Sequence, residues 1–564
     1  MSVVDLALDW ISQDPDPATR AELQALVDAD DTAALEDRFG ARLQFGTAGL
    51  RGALGAGPNR MNRVIVAKAA AGLAAYLLRE VEGEPSVVVG YDARHNSDVF
   101  ARDTAEVMQA AGVRAYLLPE HLPTPVLAHA ILHLGCSAGV MVTASHNPPQ
   151  DNGYKVYLGD SSQIVPPADT DISALIDAVG RVDELPRSDD YTVVGPEVAE
   201  AYVQAVVDLA HDGPRDVVAV YTPMHGVGRD TLVEVVRRTG FPALHVVREQ
   251  GDPDPDFPTV AFPNPEEPGA MDLALKLASE VQADVVVAND PDADRCAVGV
   301  RDGEGFRMLT GDQTGVLLAE LLLRRGVEGT YGSSIVSSDM LGRQAAAHDR
   351  RWQQTLTGFK WLGKIPDLAF GYEEALGYSV APHVARDKDG VSAILAVLEL
   401  AAELKAEGRT LLDLLDDLYR EHGLHATGQL SVRVEDLSVI ADAMSTLRAT
   451  PPVQLAGLEV TSVDDLEDGY AGLPPTDGVR LGLAAPPGGG AGPRAAIGHG
   501  GGAGPRAALD AARIICRPSG TEPKLKCYVE VVVPVDDSVD VAREQASATI
   551  EEIKRELAVA LGLA

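Results

Sequence analysis

Residues 86–118 read SVVVGYDARHNSDVFARDTAEVMQAAGVRAYLL, and this stretch predicts the fold class. Ser86–Tyr91 is a short apolar run rich in valine, which favours a buried strand. After a short loop, apolar residues recur at helical spacing to about Ala111, and Val113–Leu118 then predicts a second strand. A strand, a helix and a strand in this order indicate an α/β fold with helices packed on a sheet.

The same alternation continues along the chain. Val217–Tyr221 and Asp284–Ala288 favour strands, with helical patterns at Arg229–Arg238 and Met271–Val281 between them. A length of 564 residues corresponds to roughly four domains at about 150 residues each. We therefore predict four domains, at 1–210, 211–310, 311–425 and 426–564.

Composition excludes several classes of partner. Asp and Glu total 84 against 47 Lys and Arg, a formal net charge of −37 that repels nucleic acid. No apolar run approaches the roughly 18 residues of a membrane helix, and the N-terminus lacks a basic start, so no secretory signal is expected. The cysteines Cys136, Cys296, Cys516 and Cys527 form no paired motif and predict buried thiols in a reducing cytoplasm.

One segment lacks the composition of a folded domain. The string GGGAGPRAA occurs at 488–496 and again at 500–508. So few apolar side chains cannot offset the entropy cost of ordering the chain. We predict a disordered surface insertion near 486–508.

The string DPDADR at 290–295 follows the strand predicted at 284–288. Alternating carboxylates are oxygen ligands that suit a hard cation such as Mg²⁺. In open α/β sheets, ligands bind at the carboxyl ends of the strands. A solvated acidic turn would show the same residues, so this loop alone leaves both interpretations open.

The string TASHNPP at 143–149 also follows an apolar run, and DNGYK ends at Lys155. A serine beside a histidine, with a lysine nearby, has the groups needed for a nucleophile and its acid–base partners. Ser, Asn and Pro are equally common in turns without function.

Three further strings carry candidate binding groups. RPSGTEPK at 517–524 combines cations, hydroxyls and a glycine, a plausible cradle for a phosphate, and GTAGLRG at 46–52 is similar in kind. GYEEALG at 371–377 offers paired acids that can accept hydrogen bonds from sugar hydroxyls. Each short string is weak evidence when taken alone.

Taken together and in order, these strings closely resemble the α-D-phosphohexomutase superfamily, from about Phe45 to Tyr528. The resemblance implies a four-domain α/β architecture around a central cleft. Three α/β domains with mixed sheets would be followed by a smaller α+β C-terminal domain. It further implies a phosphosugar mutase in which a phosphorylated serine donates to the substrate.

The resemblance assigns the reacting centre residue by residue. Ser145 would carry the phosphoryl group, and a phosphoryl oxygen of Ser145 would complete a Mg²⁺ site formed by Asp290, Asp292 and Asp294. Lys155 is the preferred general acid or base, with His146 beside the reacting centre. The other groups expected to neutralise the phosphoryl group are Arg51 and Arg295.

The resemblance also assigns substrate binding. Glu373 would recognise the sugar, and a second group would hold the phosphate that does not react. That group is Arg517, Ser519, Gly520 and Thr521, with Lys388 from the third domain. Thr357 and Gly358 complete the predicted substrate-binding set.

The activity implied is interconversion of glucose 1-phosphate and glucose 6-phosphate through glucose 1,6-bisphosphate. Ala375 stands where some phosphoglucomutases have a serine, which brings the chain nearer to the phosphopentomutase-type branch. Phosphomannomutase, phosphopentomutase and glucose 1,6-bisphosphate synthase are therefore alternatives.

We expect a cytoplasmic monomer or homodimer whose partner is a small phosphosugar, not nucleic acid or membrane. A two-metal hydrolase and a non-enzymatic binding protein fit the strings less well.

Overall fold

The computed structural model describes residues 2–43, 49–434, 436–485, 512–519, 524–536 and 538–563. The insertion predicted at 486–508 lies outside the described residues. The chain forms two compact units. Unit 1 comprises Met1–Leu309, Phe359–Pro366 and Leu376–Glu407, and unit 2 comprises Thr310–Gly358, Asp367–Ala375 and Gly408–Ala564. The four-domain division stays a prediction.

The α-helices of the described residues are α1 Val3–Gln13, α2 Pro17–Asp28, α3 Thr32–Phe39, α4 Arg63–Glu80, α5 Ser97–Ala110, α6 Thr124–Leu134, α7 Ala168–Asp177, α8 Glu197–Val207, α9 Gly228–Arg238, α10 Asp272–Val281, α11 Gly311–Arg324, α12 Met340–Ala347, α13 Phe359–Leu362, α14 Gly390–Ala406, α15 Leu411–His422, α16 Ser438–Ala449 and α17 Val539–Ala560. Short 3₁₀ turns occupy Val182–Glu184, Arg248–Gln250 and Leu466–Asp468.

The strands are β1 Leu50–Ala53, β2 Ser86–Tyr91, β3 Arg114–Leu117, β4 Ala138–Val142, β5 Asp151–Leu158, β6 Thr192–Val193, β7 Ala219–Thr222, β8 His245–Val246, β9 Val285–Ala288, β10 Ala297–Asp302, β11 Gly305–Met308, β12 Thr330–Ser334, β13 Arg351–Thr355, β14 Leu368–Glu373, β15 Gly377–Ser379, β16 Leu424–Arg433, β17 Gln454–Leu455, β18 Leu458–Asp465, β19 Val479–Ala484, β20 Ala512–Pro518 and β21 Lys524–Val533.

Unit 1 contains two mixed sheets. The first has the order β1-β5-β4-β2-β3-β6, with β2 parallel to β3 and β4, and β5 antiparallel to β4 and β1. Val87 and Val89 of β2 join Leu73 of α4 and Phe100 of α5 in one hydrophobic core. The stretch 86–118 thus forms the strand, helix and strand predicted for it, because helices cover its parallel strands.

The second sheet of unit 1 has the order β11-β10-β9-β7-β8. β7 runs parallel to β8 and β9, and β10 returns antiparallel to β9. All four residues of β9 are buried, as its uninterrupted apolar sequence predicts. The aspartate string 290–295 therefore emerges from the carboxyl end of a central strand.

Unit 2 combines parallel and antiparallel strands. β12 lies between β13 and β14 and is parallel to both. The C-terminal region forms an antiparallel sheet in the order β16-β21-β20-β19-β18-β17, against which α17 packs. Three α/β regions with mixed sheets, followed by an antiparallel α+β region, confirm the predicted fold class.

Local capping explains where several helices begin. The Asn62 side chain accepts a hydrogen bond from the Ile65 N–H at the start of α4, and asparagine is among the residues preferred at this position. Thr310 and Gln313 form a reciprocal capping box on α11. Across the described residues, every helix is too short or too polar to cross a membrane.

Candidate active site

Ser145 lies in the loop after β4, with its backbone in an unusual conformation. Its φ is +52°, in the left-handed region that residues other than glycine rarely adopt. The Ser145 N–H donates to Oγ1 of Thr143 at 2.8 Å, and the residue is 2 % exposed. A strained, buried and hydrogen-bonded serine at the carboxyl end of a strand is a candidate functional position.

Arg94 binds the backbone of this loop. Its guanidinium donates to four backbone carbonyl oxygens: those of Ser145 at 2.6 Å, Asn147 at 2.6 Å, Pro148 at 2.9 Å and Asp151 at 3.1 Å. Arg94 is itself buried. Because the planar fork makes several bonds at once, it fixes the path of the loop on both sides of the serine.

Asp92 connects the same loop to the end of β2. Its Oδ1 accepts from the Arg94 N–H and the Ser97 hydroxyl, and its Oδ2 accepts from the Thr143 hydroxyl at 2.6 Å. Thr143 therefore links Asp92 to Ser145. Sequence reasoning assigned no role to Asp92 or Arg94, although both stand in the loop that follows a predicted strand.

The three aspartates of DPDADR converge. One carboxylate oxygen each from Asp290, Asp292 and Asp294 lies within 4.8 Å of the others, and all three residues are buried. The Ser145 hydroxyl donates to Oδ2 of Asp290 at 2.6 Å. Two strings 145 residues apart in the chain thus meet at one place in unit 1.

Lys155, on β5, compensates part of this negative charge. Its Nζ donates to Oδ2 of Asp292 and to Oδ2 of Asp294, each at 2.7 Å. Burial lowers the pKa of Lys155, but the two carboxylates outweigh that effect, so the pKa lies above its ordinary value. Lys155 is held as a cation in this arrangement. The hydroxyl of Thr124, which sequence reasoning missed, also donates to Oδ2 of Asp292 at 2.6 Å.

Two more cations lie at the same cluster. Nε of Arg295 is 3.8 Å from Oδ2 of Asp290 and 3.8 Å from Oδ1 of Asp294. Nζ of Lys388 is 3.2 Å from Oδ2 of Asp294. Lys388, which the resemblance assigns to the distal phosphate group, lies beside Asp294 in this structure.

The donor set fits a divalent cation. Oδ1 of Asp292 and Oδ1 of Asp294 are buried and accept no hydrogen bond from the described residues. Burial and the neighbouring carboxylates raise the pKa of Asp290 well above its ordinary value, and a bound cation would favour its charged form. Unpartnered carboxylate oxygens in a buried cluster are suited to Mg²⁺, which prefers oxygen ligands.

Arg51 contacts the serine loop from β1, and His146 lies within the loop, next to Ser145. Nη1 of Arg51, on β1, donates to Oδ1 of Asn147 at 3.0 Å. Nδ1 of His146 is buried and has no hydrogen-bond partner among the described residues. Burial, together with the charges of Arg295 and Arg51, lowers the pKa of His146 well below its ordinary value. His146 is therefore a neutral imidazole at neutral pH.

The remaining predicted residues belong to unit 2. Glu373 ends β14, and Thr357 and Gly358 follow β13. These two strands flank β12 in parallel, so their carboxyl ends lie at one edge of the sheet. Arg517 and Ser519 lie at the end of β20.

The β20–β21 turn is only partly described. The Ser519 N–H donates to the carbonyl oxygen of Lys524 at 2.8 Å, which closes the loop. Gly520 and Thr521, predicted to bind phosphate, lie outside the described residues, as do Gly46–Ala48 of the GTAGLRG string.

Comparison with known families agrees with this arrangement. The chain matches the models of phosphoglucomutase/phosphomannomutase α/β/α domain I at residues 42–182, domain II at 200–303 and domain III at 310–422. The aspartate string falls within the second match, and Ser145 falls within the first.

Individual relatives of the chain are also named as phosphosugar mutases. The chain is 48% identical to “Probable phosphomannomutase” of Haemophilus influenzae over 83% of this chain and 93% of that protein. It is 35% identical to a phosphoribomutase of Saccharomyces cerevisiae over 92% of this chain and 91% of that protein. A crystal structure of a “putative phosphomannomutase” from Thermus thermophilus superposes with a TM-score of 0.69 at 25% identity, covering 92% of this chain and 99% of that one. The chain belongs to the phosphoglucomutase/phosphomannomutase family of the α-D-phosphohexomutase superfamily, and it is a phosphosugar mutase.

Proposed function

We propose that the chain interconverts glucose 1-phosphate and glucose 6-phosphate through a phosphorylated Ser145. The observation that carries the proposal is the hydrogen bond of 2.6 Å between the Ser145 hydroxyl and Asp290, within a buried group of three aspartates. A serine beside a candidate cation site can carry a phosphoryl group whose charge, about −1.5 to −2, the cation offsets.

In the proposed cycle, phospho-Ser145 donates its phosphoryl group to the C6 hydroxyl oxygen of glucose 1-phosphate. The Oγ–P bond breaks, a new O–P bond forms at the sugar, and the sugar hydroxyl proton leaves to a base. The product is glucose 1,6-bisphosphate, which reorients and returns its other phosphoryl group to Ser145. Glucose 6-phosphate is then released, and the serine is again phosphorylated.

Within this cycle the residues of unit 1 position and neutralise the phosphoryl group. Asp290, Asp292 and Asp294 would hold Mg²⁺, which would stabilise the charge of the transferring group when bound. Arg295 and Arg51 carry fixed positive charge beside the serine loop. His146, which is neutral, is the candidate that can accept the hydroxyl proton, whereas Lys155, which is held as a cation, can act only as an acid until it has lost a proton.

The residues of unit 2 are assigned to recognition. We propose that Glu373 accepts hydrogen bonds from the sugar and that Arg517 and Ser519 bind the phosphate that does not react. Thr357, Gly358, Gly520 and Thr521 complete this assignment. We likewise propose that the chain is organised as the four domains predicted from its sequence and that it acts in the cytoplasm.

The experiment that tests the proposal is transfer of radiolabelled phosphate. Glucose 1,6-bisphosphate labelled at phosphorus should label Ser145, and glucose 1-phosphate should remove the label as bisphosphate. Ser145→Ala should neither label nor turn over, whereas Ser279→Ala, an exposed serine on α10, should behave as wild type. Full turnover by Ser145→Ala would refute the assignment.

Two observations support a different sugar phosphate as the substrate. Ala375 stands in the sugar-recognition string, and the relatives described above act by name on mannose and ribose phosphates. Rates on glucose, mannose and ribose 1-phosphates separate these activities. A bisphosphate synthase would instead form one sugar bisphosphate for each added acyl phosphate that it consumes. It would not release glucose 6-phosphate.

A further inference from the structure

A buried ionic network in unit 2 lies between the sugar-recognition string and the strands that carry Arg517. It begins at Glu374, next to the proposed sugar ligand. The hydroxyls of Ser334 and Ser337 donate to Oε2 of Glu374 at 3.0 and 3.1 Å, and the Glu374 N–H donates back to Oγ of Ser337 at 3.0 Å. The segment 334–339, which begins at the last residue of β12, therefore fixes the path of the sugar-recognition string.

Arg513 holds that segment from the C-terminal sheet. Its Nη2 donates to the carbonyl oxygen of Ser337 at 2.6 Å, and its Nη1 donates to Oδ1 of Asp339 at 2.8 Å. Nη2 also lies 2.8 Å from Oε2 of Glu530. Arg513 is 6 % exposed and Glu530 is 4 % exposed. A buried guanidinium that engages three partners with a rigid fork is sensitive to geometry as well as to charge.

Glu530 completes the connection. Its Oε1 accepts from the Ser338 hydroxyl at 2.7 Å and from the Asp339 N–H at 2.9 Å, and it lies 2.8 Å from Nδ1 of His425. Burial raises the pKa of Glu530, but Arg513 and His425 outweigh burial and lower it to about 2. Glu530 is therefore an anion throughout the working pH range.

The register of β20 and β21 places these groups on the face that leads to Arg517. Arg513 is directly opposite Glu530 in the ladder, and Ile515 is directly opposite Tyr528. Alternate residues share a face, so Arg513, Ile515 and Arg517 point the same way. Ile515 and Tyr528 pack against Ile335 and Val336 of the segment 334–339. The Tyr528 hydroxyl interacts with Arg517, and the negative charges of Glu374 and Glu373 help burial to raise the pKa of Tyr528.

We infer that Arg513 and Glu530 are positioning residues that set the spacing between Glu373 in the sugar-recognition string and Arg517 at the end of β20. The inference rests on the proposed function, because it takes Glu373 and Arg517 as the groups that bind substrate. A sugar phosphate must engage both groups at once, so its binding depends on their separation. Inorganic phosphate is too small to reach Glu373 from Arg517, so its binding at Arg517 does not depend on that separation.

The test compares these two ligands in Arg513→Lys, which keeps the charge and removes the fork. We expect KM for glucose 1-phosphate to rise about tenfold, since small misplacements of binding groups have large effects. The inhibition constant of inorganic phosphate should stay within about twofold of the wild-type value. Equal weakening of both ligands would show general damage to the sheet and would overturn the inference, as would an unchanged KM.

Two further variants keep the test decisive. Glu530→Gln retains the oxygen that accepts from Ser338 and loses the charge that faces Arg513, so it should change KM in the same direction. Arg63→Lys, which breaks a comparable two-bond pair with Asp103 in unit 1, should leave both constants unchanged. Failure of wild type to label Ser145 would refute the proposed function, whereas a wild type that labels Ser145, with an unchanged KM in Arg513→Lys, would refute only the role of Arg513.

Discussion

Nη2 of Arg94 donates to the carbonyl oxygen of Ser145 at 2.6 Å, and the same guanidinium holds three more carbonyl oxygens of that loop. The nucleophile proposed here is thus fixed through its own backbone and not only through its side chain. Because Ser145 has a left-handed φ, the loop needs such support to keep the hydroxyl at Asp290.

Arg94→Lys should therefore lower kcat. A lysine ammonium cannot reach four carbonyl oxygens in one plane, so the loop should shift, and a shift of about 1 Å can cost on the order of 100-fold in rate. KM for glucose 1-phosphate should change less than about threefold, because Arg94 bonds to the serine loop and not to the proposed recognition residues. Steady-state kinetics measure both constants.

The control for this variant is Arg102→Lys, which changes an exposed arginine on α5. It should leave kcat and KM at wild-type values. A rise in KM with unchanged kcat in Arg94→Lys would contradict the positioning role.

Gly226→Ala should displace the aspartate loop, which packs against Gly226. A Cβ at Gly226 would lie 2.3 Å from Cα of Pro291, a backbone atom that cannot move aside without shifting Asp290 and Asp292. Overpacking of this kind costs about 1–3 kcal/mol of folding stability. We also expect Mg²⁺ to bind about tenfold more weakly, because groups that support metal ligands have effects of this size.

Thermal unfolding with and without Mg²⁺ measures both effects. Gly180→Ala provides the control, since nothing lies within 4 Å of a Cβ at that position. Wild-type affinity for Mg²⁺ in Gly226→Ala would show that the loop tolerates the contact.

Sequence reasoning located the strands and the two strings that meet in unit 1 because both follow apolar runs in an alternating pattern. Ser145 and Asp290 each lie beyond the carboxyl end of a strand, and such loops converge in α/β proteins. Their contact, however, joins two different sheets, and no periodicity in the sequence encodes it.

Arg94 and Thr124 show what sequence alone does not reveal. An arginine in a polar loop is usually exposed to solvent, so its presence there does not predict a structural role. The partners of Arg94 are backbone carbonyl oxygens, which every residue has, so the sequence does not identify them. Thr124 begins α6 and looks like a helix start, yet its hydroxyl donates to Asp292. The function of both residues depends on which loops the tertiary fold brings together.

Asp312 predicts a pH dependence of stability in unit 2. Burial raises its pKa to about 7, from an ordinary value of 3.8, and the charges of Glu374 and Glu530 add to the effect. Between these values the folded chain binds more protons than the unfolded chain. This group therefore destabilises the fold progressively as the pH rises from about 4 to about 7, and by a constant amount above that.

Asp312→Asn removes the charge and keeps an oxygen that can accept from the Ser338 N–H and the Tyr372 hydroxyl. The variant should be more stable than wild type at pH 8, and the difference should shrink towards pH 5. Chemical denaturation at both values measures the free energy of unfolding. Equal differences at the two pH values would mean that Asp312 does not titrate in this range.

The aspartate cluster predicts that Mg²⁺ stabilises the protein itself. Oδ1 of Asp292 and Oδ1 of Asp294 are buried without hydrogen bonds from the described residues, and ligation would satisfy both. A ligand that binds only the folded state at about 100 times its Kd adds about 2.7 kcal/mol to the free energy of unfolding. Chelation should therefore lower Tm and abolish turnover, and Mg²⁺ should restore both.

Asp294→Asn distinguishes ligation from general ionic effects. The variant should lose most of the Tm increase produced by Mg²⁺, because one anionic ligand is gone and Lys155 loses one of its two carboxylate partners. Asp230→Asn, which neutralises an exposed carboxylate on α9, should retain the full increase. A Tm increase that survives in Asp294→Asn would place the cation elsewhere, since the three converging carboxylates would then not be its ligands.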